Sequence, residues 1–135
     1  YLVIDIARQT LSYASAAHPR PVWFSRKSGR VGRLADPPPK RGPVLGLIPE
    51  VKYATATHDL AEIDAVVLFT DGIYETDNRM CENCPEELFL SFFKRRIHDP
   101  LGSILDGVLA DALIFTEGQH FIDDVCLVAA EIAHR

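Results

Sequence analysis

Short β-prone, mainly apolar runs separated by polar turns predict β-strands in the first third of the chain. Two β-prone runs, YLVIDI at 1–6 and LSYASA at 11–16, flank the polar stretch ARQT. This order predicts a hairpin. Val22 to Phe24 predict a further short strand, which ends at the turn formed by Ser28 and Gly29.

The middle of the chain combines a proline-rich stretch with two more predicted strands. Five prolines and two glycines lie between Pro37 and Pro49, which excludes both helix and central strand and indicates a loop or a sheet edge. The alternation in VKYATAT at 51–57 predicts an antiparallel strand with one solvent-facing side. The continuous apolar run at 66–70 predicts a strand that is buried on both faces.

In the second half the apolar period changes to that of a helix. The segment PEELFLSFFKRRI at 85–97 opens with a proline and two glutamates and closes with basic residues, as helix ends favour. In the next helical segment, at 99–115, Asp99 is the expected N-cap and Pro100 the first helical residue. FIDDVCLVAAEI at 121–132 predicts a last strand.

This order of strands, two helices and one strand predicts an α+β fold with a mainly antiparallel sheet. A chain of 135 residues with 47% hydrophobic and 24% charged residues fits one globular domain with a substantial core. Because there is no initiator methionine and the chain opens directly on a β-prone run, we expect residues 1–135 to be a fragment.

Composition and charge exclude several classes of protein. The net charge is −5 and the basic residues are scattered, so nothing electrostatic favours binding to nucleic acid. No apolar run approaches the roughly 18 to 20 residues that cross a bilayer, and the first residues lack the basic start of a signal peptide. Three cysteines, an odd number, do not indicate a disulfide framework. We therefore expect a soluble, cytoplasmic protein without membrane contact.

Acidic residues stand at the ends of two predicted strands. Asp71 follows the apolar run at 66–70, and Asp123 and Asp124 precede the last strand. If these strands are antiparallel neighbours, both acidic groups lie at one edge of the sheet, where their repulsion favours a cation between them. Oxygen ligands suit Mg²⁺ or Mn²⁺ better than zinc. The spacing alone also fits an ordinary Asp-Gly turn and a solvated strand entry.

Four short motifs follow one another along the chain. They are A-x-H-P at 16–19, L-G at 45–46, T-D-G at 70–72 followed by Glu75, and D-D-V-x-L-V at 123–128. In this order and spacing the chain resembles the metal-dependent PPM (type 2C) protein serine/threonine phosphatases. Within them it is most similar to the bacterial branch of the stage II sporulation E phosphatase and the regulators of sigma-factor partner switching.

The resemblance implies two antiparallel sheets flanked by helices, with a two-metal centre at one end of the sandwich. Asp71 and Asp123 would each ligate a Mg²⁺ or Mn²⁺ ion, and Asp124 would be an adjacent residue or an occasional ligand. The implied nucleophile is a metal-bound water that attacks phosphoserine or phosphothreonine. The implied partner is a phosphorylated regulatory protein of the anti-anti-sigma type, and the chain is compatible with a homodimer.

The chain also departs from the family pattern. The first metal motif of the family, Gly-Asp followed by Gly-His-Gly, is absent and normally lies upstream, so the chain is expected to be the C-terminal portion of one domain, about two thirds of it. His18 belongs to the family's Ala-Gly-His-Pro turn, with Ala17 in place of glycine, and is expected to be structural. Cys126 stands where Thr or Ser is usual, and CENCPEEL at 81–88 replaces a Phe-Gly segment.

The Cys81-x-x-Cys84 element supports an alternative of a different class. Such a pair can form a redox couple or half of a zinc site, here with Cys126, His98 or His120 as further ligands. A single CxxC is a weak signal, and two ordinary thiols are the expected state. The alternative function is a non-catalytic, phosphatase-like regulatory or interaction domain with a thiol or zinc switch.

We expect the protein, purified without added zinc, to carry no stoichiometric zinc. A structural zinc site needs four ligands, and Cys81 and Cys84 supply only two. Elemental analysis checks this directly, with a Cys81→Ser and Cys84→Ser double variant as the control. One zinc per chain that disappears in the double variant would contradict the expectation and favour the switch.

Overall fold

A computed structural model describes residues 1–36, 42–74, 86–116 and 120–134. Glu75, Cys81, Cys84 and Pro85 lie outside these ranges. Residues 37–41 of the proline-rich stretch at 37–49 lie outside them as well. In the described residues the strands are β1 (Leu2–Asp5), β2 (Thr10–Tyr13), β3 (Val22–Ser25), β4 (Arg30–Arg33), β5 (Ala56–Asp59), β6 (Ala65–Phe69) and β7 (Leu127–Glu131). The helices are α1 (Glu86–Lys94) and α2 (Leu101–Phe115), and a 3₁₀ turn covers Asp71–Ile73.

The strands form two antiparallel sheets. The smaller sheet has the order β1-β2-β5 and contains the predicted hairpin of β1 and β2. The prediction of a strand at 51–57 was wrong in its limits, because β5 begins at Ala56. The reason lies in its partner: β5 pairs with β2 from Tyr13↔Ala56 to Thr10↔Asp59, and β2 is only four residues long.

The larger sheet has the order β4-β3-β6-β7. Strand β4 was not predicted, because its sequence, RVGR, is polar and does not alternate. It forms because Gly29, at φ 66°, reverses the chain after β3, so that Ser25 pairs with Arg30 and Val22 with Arg33. Tertiary pairing, rather than local propensity, therefore makes this strand.

Strand β6 is the centre of the fold and is buried on both faces, as predicted. Ala65, Val67 and Phe69 pack into the core shared with the helices. Val66 points the other way, into the core shared with Leu11 and Tyr13 of the smaller sheet. The larger sheet thus lies between a layer of helices and the smaller sheet, which confirms the predicted antiparallel sandwich flanked by helices.

Both helices occupy the predicted segments, but the predicted start of the second one was wrong. Pro100, with φ −55° and ψ 143°, holds the N-cap position, and the helix begins at Leu101 without a side-chain cap. Asp99 lies one residue before the N-cap, and its backbone N–H donates to the Arg96 carbonyl at 2.8 Å, which closes the turn after α1. In the described ranges, neither helix is long and apolar enough to cross a membrane.

Arg96 joins the two helices. Its guanidinium forms hydrogen bonds to the Asp111 carboxylate and to the Phe92 carbonyl. The hydrogen bond to Asp111 raises the pKa of Arg96 above its ordinary value, so the guanidinium stays charged. Gly107 lies directly beneath the Arg96 side chain, where a Cβ atom would overlap it.

Candidate metal centre

Pairing between β6 and β7 brings the predicted acidic residues to one edge of the larger sheet. The two strands are antiparallel neighbours from Ala65↔Glu131 to Phe69↔Leu127, with both helices in the chain between them. This arrangement is the one on which the sequence prediction depended. Asp71 follows β6 by two residues, and Asp123 and Asp124 precede β7 by four and three.

Thr70 ties the two strand ends together with three hydrogen bonds. Its backbone N–H donates to the Cys126 carbonyl at 3.1 Å. Its hydroxyl donates to the Asp124 carbonyl at 2.8 Å and accepts from the Cys126 N–H at 2.9 Å. The T-D-G motif was noted in the sequence, but the positioning role of its threonine is visible only in these contacts.

Gly72 allows the Asp71 turn to pack directly on the backbone of the acidic pair. A Cβ atom at this position would lie 2.8 Å from the Asp124 carbonyl oxygen and 3.1 Å from that of Asp123. Real Cβ atoms essentially never approach a backbone oxygen so closely. Glycine is therefore required here by the close approach of two backbone segments, and the next residue, Ile73, is buried in the core and anchors the turn.

All three candidate carboxylates are exposed at this edge. Asp123 is held by a local contact, since its Oδ1 accepts a hydrogen bond from the Asp124 N–H at 2.7 Å. Asp71 opens the 3₁₀ turn, whose C-cap residue Tyr74 donates its N–H to the Asp71 carbonyl at 3.0 Å. The backbone on both sides of the edge is thus fixed, while the acidic side chains face solvent.

The donors at this edge fit a hard divalent cation in part. Carboxylate oxygens are the ligands that Mg²⁺ prefers, and this ion commonly keeps several waters beside one or two carboxylates. In the parts of the chain that the structure describes, no group of three or more His, Cys, Asp or Glu side chains is arranged to hold a metal. By their chemistry, the carboxylates of Asp71, Asp123 and Asp124 are therefore candidates for part of a coordination sphere.

His18 lies in a tight turn. Its carbonyl accepts from the Ser15 hydroxyl at 2.9 Å, and its Nδ1 is 3.0 Å from the Pro19 carbonyl. Ala17, which replaces the family's glycine, has φ 62°, a left-handed conformation that costs a non-glycine residue about 1 kcal/mol or more. The turn is kept in spite of the substitution.

Solved structures with the same architecture are phosphatase domains. The phosphatase domain of the cell fate determinant SpoIIE from Bacillus subtilis (Mn presoaked) aligns with a TM-score of 0.72 at 14% identity, over 100% of this chain and 56% of that one. The SiaA-PP2C domain of Pseudomonas aeruginosa aligns with a TM-score of 0.72 at 16% identity, over 98% of this chain and 50% of that one. The fold is that of a PP2C-type phosphatase domain.

Comparison of the sequence itself gives the family. The profile of stage II sporulation protein E (SpoIIE) matches residues 1–133, and the chain belongs to this family. A curated relative, the phosphoserine phosphatase RsbP of Bacillus subtilis (strain 168), is 24% identical over 132 residues. That match spans 98% of this chain but only 30% of RsbP. The resemblance derived from the four motifs is thereby confirmed for family and fold.

Proposed function

We propose that the intact protein is a cytoplasmic, Mg²⁺- or Mn²⁺-dependent protein serine/threonine phosphatase, and that this chain is the C-terminal portion of its catalytic domain. The observation that carries the proposal is the contact of Gly72 with the Asp123–Asp124 backbone, which brings Asp71 to the acidic pair. Membership of the SpoIIE family and the similarity to RsbP, a phosphoserine phosphatase, support it.

A phosphomonoester dianion repels an incoming hydroxide, so its hydrolysis needs positive charge at the phosphoryl oxygens. Divalent ions at this edge would supply that charge and lower the pKa of a bound water. Asp71 and Asp123 would hold the ions. Asp124 would be a further ligand or would support Asp123, which is next to it in the chain. Thr70 and Gly72 keep the two backbone segments together, so the carboxylates need little reorganisation when the ions bind.

The proposed substrate is a phosphorylated regulatory protein of the anti-anti-sigma type, so that the reaction would act in sigma-factor signalling. The curated relative RsbP is a phosphoserine phosphatase, and another structure of similar fold contains the RsbU and RsbW domains of Rv1364c from Mycobacterium tuberculosis. The experiment is to measure phosphate release from such a phosphoserine protein by the intact enzyme. We expect release with Mn²⁺ and none with EDTA, while equal release under both conditions would refute metal dependence.

One observation favours a second candidate, a non-catalytic phosphatase-like regulatory domain. Within the described ranges, no three His, Cys, Asp or Glu side chains at the acidic edge are grouped so that they could hold a metal ion. The exposed Cys126 lies beside this edge. The reading frame upstream of residue 1 separates the two candidates. A Gly-Asp and Gly-His-Gly element there would favour the enzyme, and its absence the regulatory domain.

A further inference from the structure

Two arginines converge on one glutamate close to the candidate metal edge. Arg20 Nη2 lies 3.1 and 3.4 Å from the two carboxylate oxygens of Glu86. Arg33 Nε lies 3.5 Å from the same carboxylate, and Arg33 Nη1 donates to the Arg20 carbonyl at 2.9 Å. Both arginines therefore share the Glu86 carboxylate.

Arg33 is the fixed member of the cluster. Its guanidinium carbon lies 4.9 Å from the centre of the Phe69 ring and 5.1 Å from that of Phe89, and its side chain is only 11% exposed. Stacking of this kind favours the planar guanidinium and restrains it. Arg20 is more accessible, with a side chain 34% exposed.

The cluster lines a small polar cavity of about 150 Å³ together with Pro19 and Tyr74. Tyr74 closes the 3₁₀ turn that begins at Asp71, so one residue of the cavity lining lies one such turn, roughly 6 Å along the backbone, from the first candidate metal ligand. Since water occupies about 30 Å³ per molecule, the cavity has room for a carboxylate with a few waters.

Glu86 is a replaceable partner. Its side chain is 51% exposed, and surface ion pairs of this kind contribute only about 0–1 kcal/mol to stability. Another carboxylate could take its place on the Arg20 guanidinium with the same geometry, because the arginine fork matches any carboxylate. The Arg30–Glu62 pair, at 3.1 Å, is an ordinary surface pair with both side chains exposed, and it provides the comparison.

We propose that Arg20, supported by Arg33, binds an acidic side chain near the phosphoserine of the protein substrate, and that Glu86 occupies this subsite when no substrate is bound. The inference rests on the proposed phosphatase function. An extended peptide advances about 3.3 Å per residue, so the acidic residue is expected about two to four positions from the phosphoserine.

The test compares two phosphoserine peptides, one with glutamates and one with glutamines at these positions, as substrates of the intact enzyme with Mn²⁺. We expect the wild type to favour the acidic peptide about three- to fivefold through a lower KM, the size expected for one partly exposed ion pair. Arg20→Gln should reduce the ratio of kcat/KM values to about one. Glu86→Gln should increase the ratio, because it removes the internal competitor.

The matched control is Arg30→Gln, which removes an arginine from the other pair and should leave the ratio as in the wild type. A ratio near one in the wild type, or a preference that survives Arg20→Gln, would overturn the subsite. A loss of preference in Glu86→Gln would overturn the role of Glu86 as competitor. No turnover of either peptide by the wild type would refute the proposed function, and this inference with it.

Discussion

Asp71→Asn and Asp123→Asn are each expected to lower the Mn²⁺-dependent activity of the intact protein by more than about 100-fold. Loss of a residue that merely supports a metal ligand typically costs 10- to 100-fold, and these residues are the proposed ligands themselves. Asparagine preserves the size of the side chain but removes its negative charge. Both residues are exposed, so the substitutions should leave the fold intact.

Phosphate release from a phosphoserine peptide measures the effect, and circular dichroism checks folding. Asp106→Asn, which changes an exposed acid on α2, is the matched control and should retain full activity.

Residues 1–135 alone should show negligible turnover, because the bridging carboxylate of the family's first motif is absent from this sequence. Robust metal-dependent turnover by residues 1–135 alone that survives Asp71→Asn would show that the active site lies elsewhere.

Gly72→Ala should impair both stability and activity. The new Cβ atom would lie 2.8 Å from the Asp124 carbonyl oxygen, and because that atom belongs to the backbone, the two segments must separate. Overpacking of this kind costs about 1–3 kcal/mol of unfolding free energy. A displacement of about 1 Å in an active site can lower activity about 100-fold.

Chemical denaturation and phosphate release, measured on the intact protein, test this prediction together. Gly102→Ala is the control, since a Cβ atom there meets nothing within 4 Å. It should leave activity unchanged and the helix slightly more stable. If Gly72→Ala were as stable and as active as Gly102→Ala, the close packing of the two strand ends would have no functional role.

The sequence predicts the parts of the fold that local patterns determine. Asp71 follows the apolar run of β6 directly, and Asp123 and Asp124 come shortly before β7. The edge with these three residues could therefore be predicted once the two strands were taken as neighbours. Strand β4 could not be predicted, because its formation depends on pairing with β3 rather than on the β propensity of its own residues. The prediction of Asp99 as N-cap of the second helix was wrong, because Pro100 has an extended ψ of 143° and holds the N-cap position itself.

Contacts between distant segments account for what the sequence did not predict at the site. The need for Gly72 arises from the approach of a backbone about 50 residues away, and no local pattern encodes it. The same holds for Arg33, whose guanidinium lies against the rings of both Phe69 and Phe89 although the three residues are far apart in sequence. A charged residue in a polar strand gives no sign that it will lie against two aromatic rings.

The central claim is that Asp71 and Asp123 share a metal site, and a crystal structure of the intact protein soaked with Mn²⁺ tests it most directly. We expect anomalous density for manganese at this edge, with a carboxylate oxygen of Asp71 or Asp123 at about 2.0 to 2.6 Å from each ion. The two carboxylates should lie within about 8 Å of each other even without metal, since one ion can bridge oxygens that it binds at roughly 2.0 to 2.6 Å. Carboxylates farther apart than this, or manganese bound only at other residues, would contradict the claim.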